Sequence, residues 1–371
     1  MSEKPALVKK SVKELIEQGK EQLQKDLEEF NLAKQEEEFD FEDLTNGMEH
    51  DLDAFEDQAW NKGDGYKLPN YPMFTEMLEG LDEGLYLVAG ESNTGKSALM
   101  MNLIYDACTY RENKLFGIYY CLDDTKNDII PRIVAMDQEI PIGVCAKPKR
   151  YQNKIDNQED GSLMYEEMLL KRAEGIAKLR EYSDRLRFMD GNKIASAEKM
   201  FAHMKAMQRY VKTIDPDMNI IVGIDAVDDI RFDSKRFDSI TGRHAEIAKT
   251  IKDWATELHI PVFGTRHLSK LRQNRRPTLD DLKDSNEYVY EASVVFLVHN
   301  DVSKNKEAAQ IFTTIVGVEG KIPVLEIDWA KNKKSSFKGR TYCQFRAEFS
   351  KTKEFPKEQA KQFDQHIYSS L

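Results

Sequence analysis

A mostly parallel α/β sheet with helices on both faces is the architecture predicted for this chain of 371 residues. Three observations carry the prediction. From about residue 70, short apolar runs alternate with longer amphipathic ones, the order that builds βαβ units. The run at 85–89 passes through a glycine-rich turn into a helical stretch at 98–104. Asn219–Asp225 reads Asn-Ile-Ile-Val-Gly-Ile-Asp, a continuous apolar strand with an acid at its carboxyl end.

The other elements follow in order. A second strand is expected over 115–121, then helices over 128–136 and 163–182, a short strand over 186–189 and a helix over 196–211. A helix over 243–259 separates the 219–225 strand from strands over 261–265 and 294–298. Runs at 311–318, 324–329 and 342–345, joined by 317–320 and 331–339, look like antiparallel additions at the C-terminal edge. No internal repeat is visible.

The net charge is −11, and residues 1–65 alone hold 19 Asp and Glu against 8 Lys and Arg, so the remainder is neutral. An acidic total therefore does not exclude a nucleic-acid partner, because a neutral body can carry local basic loops. Val8, Val12, Leu15, Leu23, Leu27 and Phe30 recur at helical spacing and predict exposed amphipathic helices over 6–34. Residues 35–66 string acids between Phe39, Phe41, Phe55 and Trp60 and read as a tether. It is either a solvating tail or an arm whose aromatics dock on a neighbouring subunit. The expected organisation is an acidic helical arm and linker over 1–66, the α/β body over 67–350 and a C-terminal tail over 351–371. Cys108, Cys121, Cys145 and Cys343 have no paired spacing and fit reduced, mostly buried thiols of a cytosolic protein. The first residues lack a signal-peptide pattern and no apolar stretch approaches transmembrane length, so a soluble, intracellular chain without a membrane partner is expected.

The turn after the first strand is Gly90-Glu91-Ser92-Asn93-Thr94-Gly95-Lys96-Ser97, two glycines separated by four residues and followed by Lys-Ser. Between a strand and a helix this pattern cradles phosphate: backbone N–H groups turn inward and the helix N-terminus adds its positive end. Lys96 would reach the β- and γ-phosphates of a nucleoside triphosphate, and the Ser97 hydroxyl would ligate Mg²⁺. Asp225, at the end of its strand, is the expected second holder of that ion. Hydrolysis also needs a carboxylate to orient or deprotonate water. Asp123 at the end of the second strand is favoured, with Asp124 beside it; both acids could instead cap the following helix.

These residues resemble the RecA-type motor domain of DnaB-like replicative helicases, over about residues 70–346. The resemblance rests on the segment 80–84, the turn at 90–97, Cys121-Leu122-Asp123-Asp124, Arg132 and Asp225. It continues through Thr265-Arg266-His267-Leu268, then 280–286 leading into 291–295, and Lys331-Asn332-Lys333. It implies a RecA-like P-loop NTPase core that binds ATP and Mg²⁺, with Arg132 also at the nucleotide site. The family's catalytic glutamate falls on Asp123, one methylene shorter. Its γ-phosphate sensor, usually Gln, falls on His267, as in related phage ring helicases. The basic finger that reaches the neighbouring subunit's ATP falls on Lys331 and Lys333, the second normally Arg; Lys supplies the charge without the bidentate fork. Without the family, the basic 331–340 run reads as a solvated turn.

Two loops carry the cations that single-stranded DNA would need. One follows Asp225, with Arg231, Lys235 and Arg236 around Phe232 and Phe237; the other holds Lys270, Arg272, Arg275, Arg276 and Lys283. Neighbouring aspartates leave ordinary loop charge as the alternative. By resemblance, Lys283, Asp284 and Asn286 grip the strand. The implied protein is an ATP-driven, ring-forming helicase, a homo-oligomer and by resemblance a hexamer, of a bacterial or phage-infected cytoplasm. Its short acidic N-terminal region differs from the globular domain of bacterial members, which points to a phage or mobile-element type and leaves replication proteins as partners of the arm. The alternatives are a RecA/KaiC-like ATPase that handles DNA without unwinding, and an ATP-binding loader with vestigial hydrolysis.

Overall fold

The computed structural model describes residues 48–61, 63–268, 270–271 and 275–369. The helices expected over 6–34 lie outside them, as does Arg272. The chain divides into two units, 1–63 and 64–371. In the first, the described part is α1 (Met48–Asn61), so the stretch expected as a tether contains a 14-residue helix. Its turns are supported locally: Trp60 Nε1 donates to Glu56 Oε2 at 3.1 Å, one turn apart. Phe55 and Trp60 are exposed.

The second unit is built on a sheet in which six parallel strands come first. They are β1 (Gly84–Gly90), β2 (Leu115–Cys121), β3 (Leu186–Asp190), β4 (Asn219–Asp225), β5 (Pro261–His267) and β6 (Val294–Asn300). Then come β7 (Phe312–Thr313), β8 (Ile322–Asn332), β9 (Arg340–Arg346) and β10 (Lys351–Glu354). The order across the sheet is β10-β9-β8-β6-β1-β5-β4-β2-β3, with β7 on β8. The β6–β8, β8–β9 and β9–β10 pairs are antiparallel. The expected mostly parallel core with antiparallel C-terminal strands is therefore the observed one.

Alternation along β1 sorts the core into two layers. Tyr86 and Val88 face α2 (Pro72–Leu78) and α3 (Lys96–Thr109), among Phe74, Leu99, Leu103 and Phe263. Leu85, Leu87 and Ala89 face the other way, into a layer with Met200, Met204 and Val211. Trp329 of β8 closes the first layer edge-on against Phe296, ring centroids 4.8 Å apart. All four cysteines are buried, unpaired thiols, as expected.

Between β2 and β3 lie α4 (Lys126–Gln138), α5 (Ile142–Ala146), α6 (Pro148–Asp156) and α7 (Ser162–Glu181). Then follow α8 (Gly191–Ile194), α9 (Ala197–Ile214), α10 (Ile240–Leu258), α11 (Asn286–Glu291), α12 (Asp301–Asn305) and α13 (Lys357–Ser369). Two expectations change. The run at 311–318 pairs only through Phe312 and Thr313, and its Val316 is fully exposed. The segment expected as a tail from 351 adds β10 to the sheet and packs α13 on it, with Phe355, Phe363 and Ile367 buried against Val324 and Tyr342.

Candidate nucleotide and nucleic-acid site

The glycine-rich turn joins β1 to α3. Gly95, the residue before the helix, has φ +105°, a backbone that side chains rarely adopt, and a Cβ there would lie 3.2 Å from Leu325. At Gly90 a Cβ would come within 2.8 Å of the Val298 carbonyl. Glycine at both places lets the turn close on itself. Within it, Thr94 Oγ1 and Lys96 Nζ both donate to the Glu91 carbonyl at 2.8 Å. Ser92 and Asn93 are exposed at the tip, whereas Glu91, Thr94 and Lys96 are buried. Burial pulls the Lys96 ammonium down to about 8, against the upward pull of Asp225.

Ser97 Oγ donates to Asp225 Oδ1 at 3.1 Å, so the hydroxyl of α3 and the carboxylate of β4 meet across two strands. Two groups not foreseen in the sequence hold that carboxylate: Tyr119 OH donates to Oδ2 at 2.8 Å, and Thr265 Oγ1 donates to Oδ1. Tyr119 reaches it because Gly223, its register partner, leaves room; a Cβ there would sit 2.5 Å from Ile104. A strand glycine opposite a tyrosine, two residues before the acid, was the available signal.

Asp123 is placed by backbone: Leu122 N and Asp123 N both donate to the Asp225 carbonyl, at 2.7 and 2.9 Å. Its Oδ2 lies 3.9 Å from His267 Nε2, and both side chains are solvent-accessible. His267 ends β5 in register with Gly90, and its neighbour Leu268 donates N–H to the Gly90 carbonyl. Asp124 pairs instead with Arg132 Nη2 at 2.9 Å, which engages the guanidinium expected at the nucleotide. Burial raises the Asp124 carboxyl above its ordinary range while Arg132 opposes this. Thr125 and Asp128, not the two acids, make the capping box of α4.

Residues 69–354 of the chain match the DnaB-like helicase C-terminal domain. The chain belongs to the DnaB-like helicases. Among their curated members, replicative DNA helicase DnaB of Mycoplasma pneumoniae is 23% identical over 257 residues, 66% of this chain and 49% of that protein. The DnaB of Nostoc sp. is 22% identical over 232 residues, 60% of this chain and 23% of that protein. The chain thus spans about a quarter to a half of the length of these relatives. A DnaB-like replicative helicase whose structure was solved with a view to its interactions with primase has the same fold. Its TM-score is 0.64 at 18% identity, over 84% of this chain and 67% of that one. Among the described residues, no helix of this DnaB-like chain is long and apolar enough to cross a membrane.

In this DnaB-like body the two basic loops leave the carboxyl ends of adjacent strands, β4 and β5, on the edge that carries the turn. The first closes on itself through Phe232 and Phe237, centroids 5.2 Å apart, and a parallel bridge between Arg231 and Ser196 ties it to the start of α9. Arg231 and Arg236 are exposed, and Lys235 pairs with Glu246. In the second loop Arg275 is clasped by Asp281, and Arg276 donates to the buried Glu326 at 2.8 Å. The side chains of Lys283, Asp284 and Asn286 lie outside the described part.

Lys331 and Lys333 sit elsewhere. Lys331 pairs with Val295, which is level with Leu87 of β1, and Asn332 is level with Tyr86. By strand geometry they are on the order of 15 Å from the chain's own turn, toward the other end of the sheet. Both ammonium groups converge on the Tyr290 carbonyl at the end of α11, at 2.9 and 3.3 Å. Burial and the adjacent Lys333 charge pull Lys331 down to about 8.

Proposed function

We propose that this chain is the motor of an ATP-dependent, ring-forming DNA helicase that moves along single-stranded DNA and hydrolyses ATP between subunits. The observation that carries the reading is the meeting of Ser97 and Asp225 at 3.1 Å beside the turn, with Asp123 and His267 next to it. Ser97 and Asp225 offer the hard oxygen donors that Mg²⁺ takes, and the glycines let the turn fold tightly between β1 and α3. Bound there, Mg²⁺ would neutralise charge on the terminal phosphates.

The backbone of 90–97 and the Lys96 ammonium bind the phosphates. Asp123 orients water or accepts its proton, and His267 registers the terminal phosphate. Lys331 and Lys333 stand too far from their own turn to serve it, which favours their action on a neighbour's nucleotide and hence a ring, hexameric by family. Arg231, Lys235, Arg236 and Arg272, with the segment Lys283, Asp284 and Asn286, follow the DNA backbone; Arg275, fixed to Asp281, braces the second loop. An N-terminal arm contacting replication proteins and a cytoplasmic site of action complete the proposal.

The test is steady-state ATP turnover with and without poly-dT, followed by strand displacement on a forked duplex. Turnover is expected to rise several-fold with poly-dT, and the fork to open only with ATP. Stimulated turnover without unwinding would instead support a DNA-handling ATPase of another kind.

A further inference from the structure

The second residue of the phosphate turn does something its position in the motif does not require. Glu91 is 5% exposed, and its carboxylate points away from the turn. Oε1 accepts the backbone N–H of Leu271 at 3.0 Å, and Oε2 is 3.0 Å from Lys304 Nζ of α12. Leu271 opens the second basic loop, just before Arg272. That loop is tied to the turn a second time, by Leu268 N–H on the Gly90 carbonyl at 3.0 Å. Its far end is fixed separately, through Arg276 on buried Glu326. Leu268 and Leu271 are therefore held by the phosphate turn, and Arg276 by β8.

The same residue meets the nucleotide side through its backbone. Lys96 Nζ donates to the Glu91 carbonyl at 2.8 Å. A triphosphate would compete for that ammonium, since a phosphate oxygen makes the stronger, charge-assisted partner. Lys96 thus releases or holds Glu91 according to the ligand, while the Glu91 side chain holds Leu271. A carboxylate is suited to this role: its two oxygens grip two partners at once, and burial makes both bonds stiff.

We infer that Glu91 is a positioning residue that couples occupancy of the phosphate turn to the placement of Leu271 beside the second group of basic residues, with Lys304 fixing its carboxylate. This deepens the function proposed above and rests on those basic residues facing single-stranded DNA. Coupling of this kind is reciprocal, so nucleotide must change DNA affinity by the same factor by which DNA changes nucleotide affinity.

The experiment measures the dissociation constant of a fluorescein-labelled oligo-dT with Mg²⁺ and a non-hydrolysable ATP analogue, and again without nucleotide. The ratio of the two constants is the readout, and a folding defect alone does not move it. The wild-type ratio is expected to be about tenfold, within the usual range for coupled sites. Glu91→Gln keeps an acceptor for Leu271 and should stay within about twofold of it, whereas Glu91→Ala should fall to about twofold or less. Lys304→Met, which touches neither ligand, gives an independent arm should Glu91→Ala fail to fold, and should lose about half or more of the ratio. Wild-type ratios in both Glu91→Ala and Lys304→Met would overturn the coupling alone. A wild type that binds the analogue but no oligonucleotide would overturn the DNA reading, and the coupling with it.

Discussion

In the proposed function, Lys96 sets how the site responds to pH. Its ordinary value is 10.5, and in the folded chain burial brings it to about 8. Only the charged amine pairs with phosphate, so affinity for the triphosphate holds below pH 8 and falls above it. The expected loss between pH 7 and pH 9 is about tenfold, read from the binding of a fluorescent ATP analogue. An affinity flat across that range would show that Lys96 keeps its proton. At this scale the sequence was informative about Lys96, Ser97 and Asp225, because the spacing of a phosphate turn is rigid. It was silent about Tyr119 and Thr265, which hold Asp225 from two neighbouring strands. Which residues flank a strand end depends on strand order, and no local pattern records that order.

Strands buried on both faces were the easiest elements to read. The expected limits of β2 and β4 coincide with the observed ones, since each is an apolar run stopped by polar residues. The 311–318 run has similar composition, but only Phe312 and Thr313 find a partner on β8, and Gly317 and Gly320 turn the chain away with positive φ. The helix α13 went unread because its surface is charged and only Ala360, Phe363 and Ile367 of it are buried, about one residue per turn. Gly223 marks where element packing and chemistry meet. Gly223→Ala would place a Cβ 2.5 Å from Ile104 and 3.1 Å from the Tyr119 ring. The cost expected is about 1–3 kcal/mol, a fall of several degrees in melting temperature. A melting curve matching wild type would mean that the Ile104 tip swings aside and leaves Tyr119 on Asp225.

For the whole molecule, the decisive prediction concerns sharing between copies. Lys333→Ala should retain nucleotide binding and lose turnover, and Asp123→Asn should lose turnover as well. Mixed one to one, the two proteins would join an intact turn to an intact lysine pair at roughly a quarter of their interfaces, for random closed assembly. Turnover is expected to reappear to about that extent; none at all would place every catalytic group within one copy. The cations of the basic loops were legible as residues but not as ion pairs: Arg275 meets Asp281 within the connection from β5 to β6, and Arg276 reaches Glu326 on β8. Charge counting overstated how many of them are available to a phosphate backbone.

The strand β10 also joins the two ends of the folded body. Tyr71 donates its hydroxyl to the Thr352 carbonyl, 281 positions away in sequence, and Glu354 accepts the N–H groups of Met73 and Phe74 at the start of α2. Loss of β10 would therefore be felt near residue 72. Phe74, which packs against both Phe296 and Trp329, would lose the brace that keeps its helix seated.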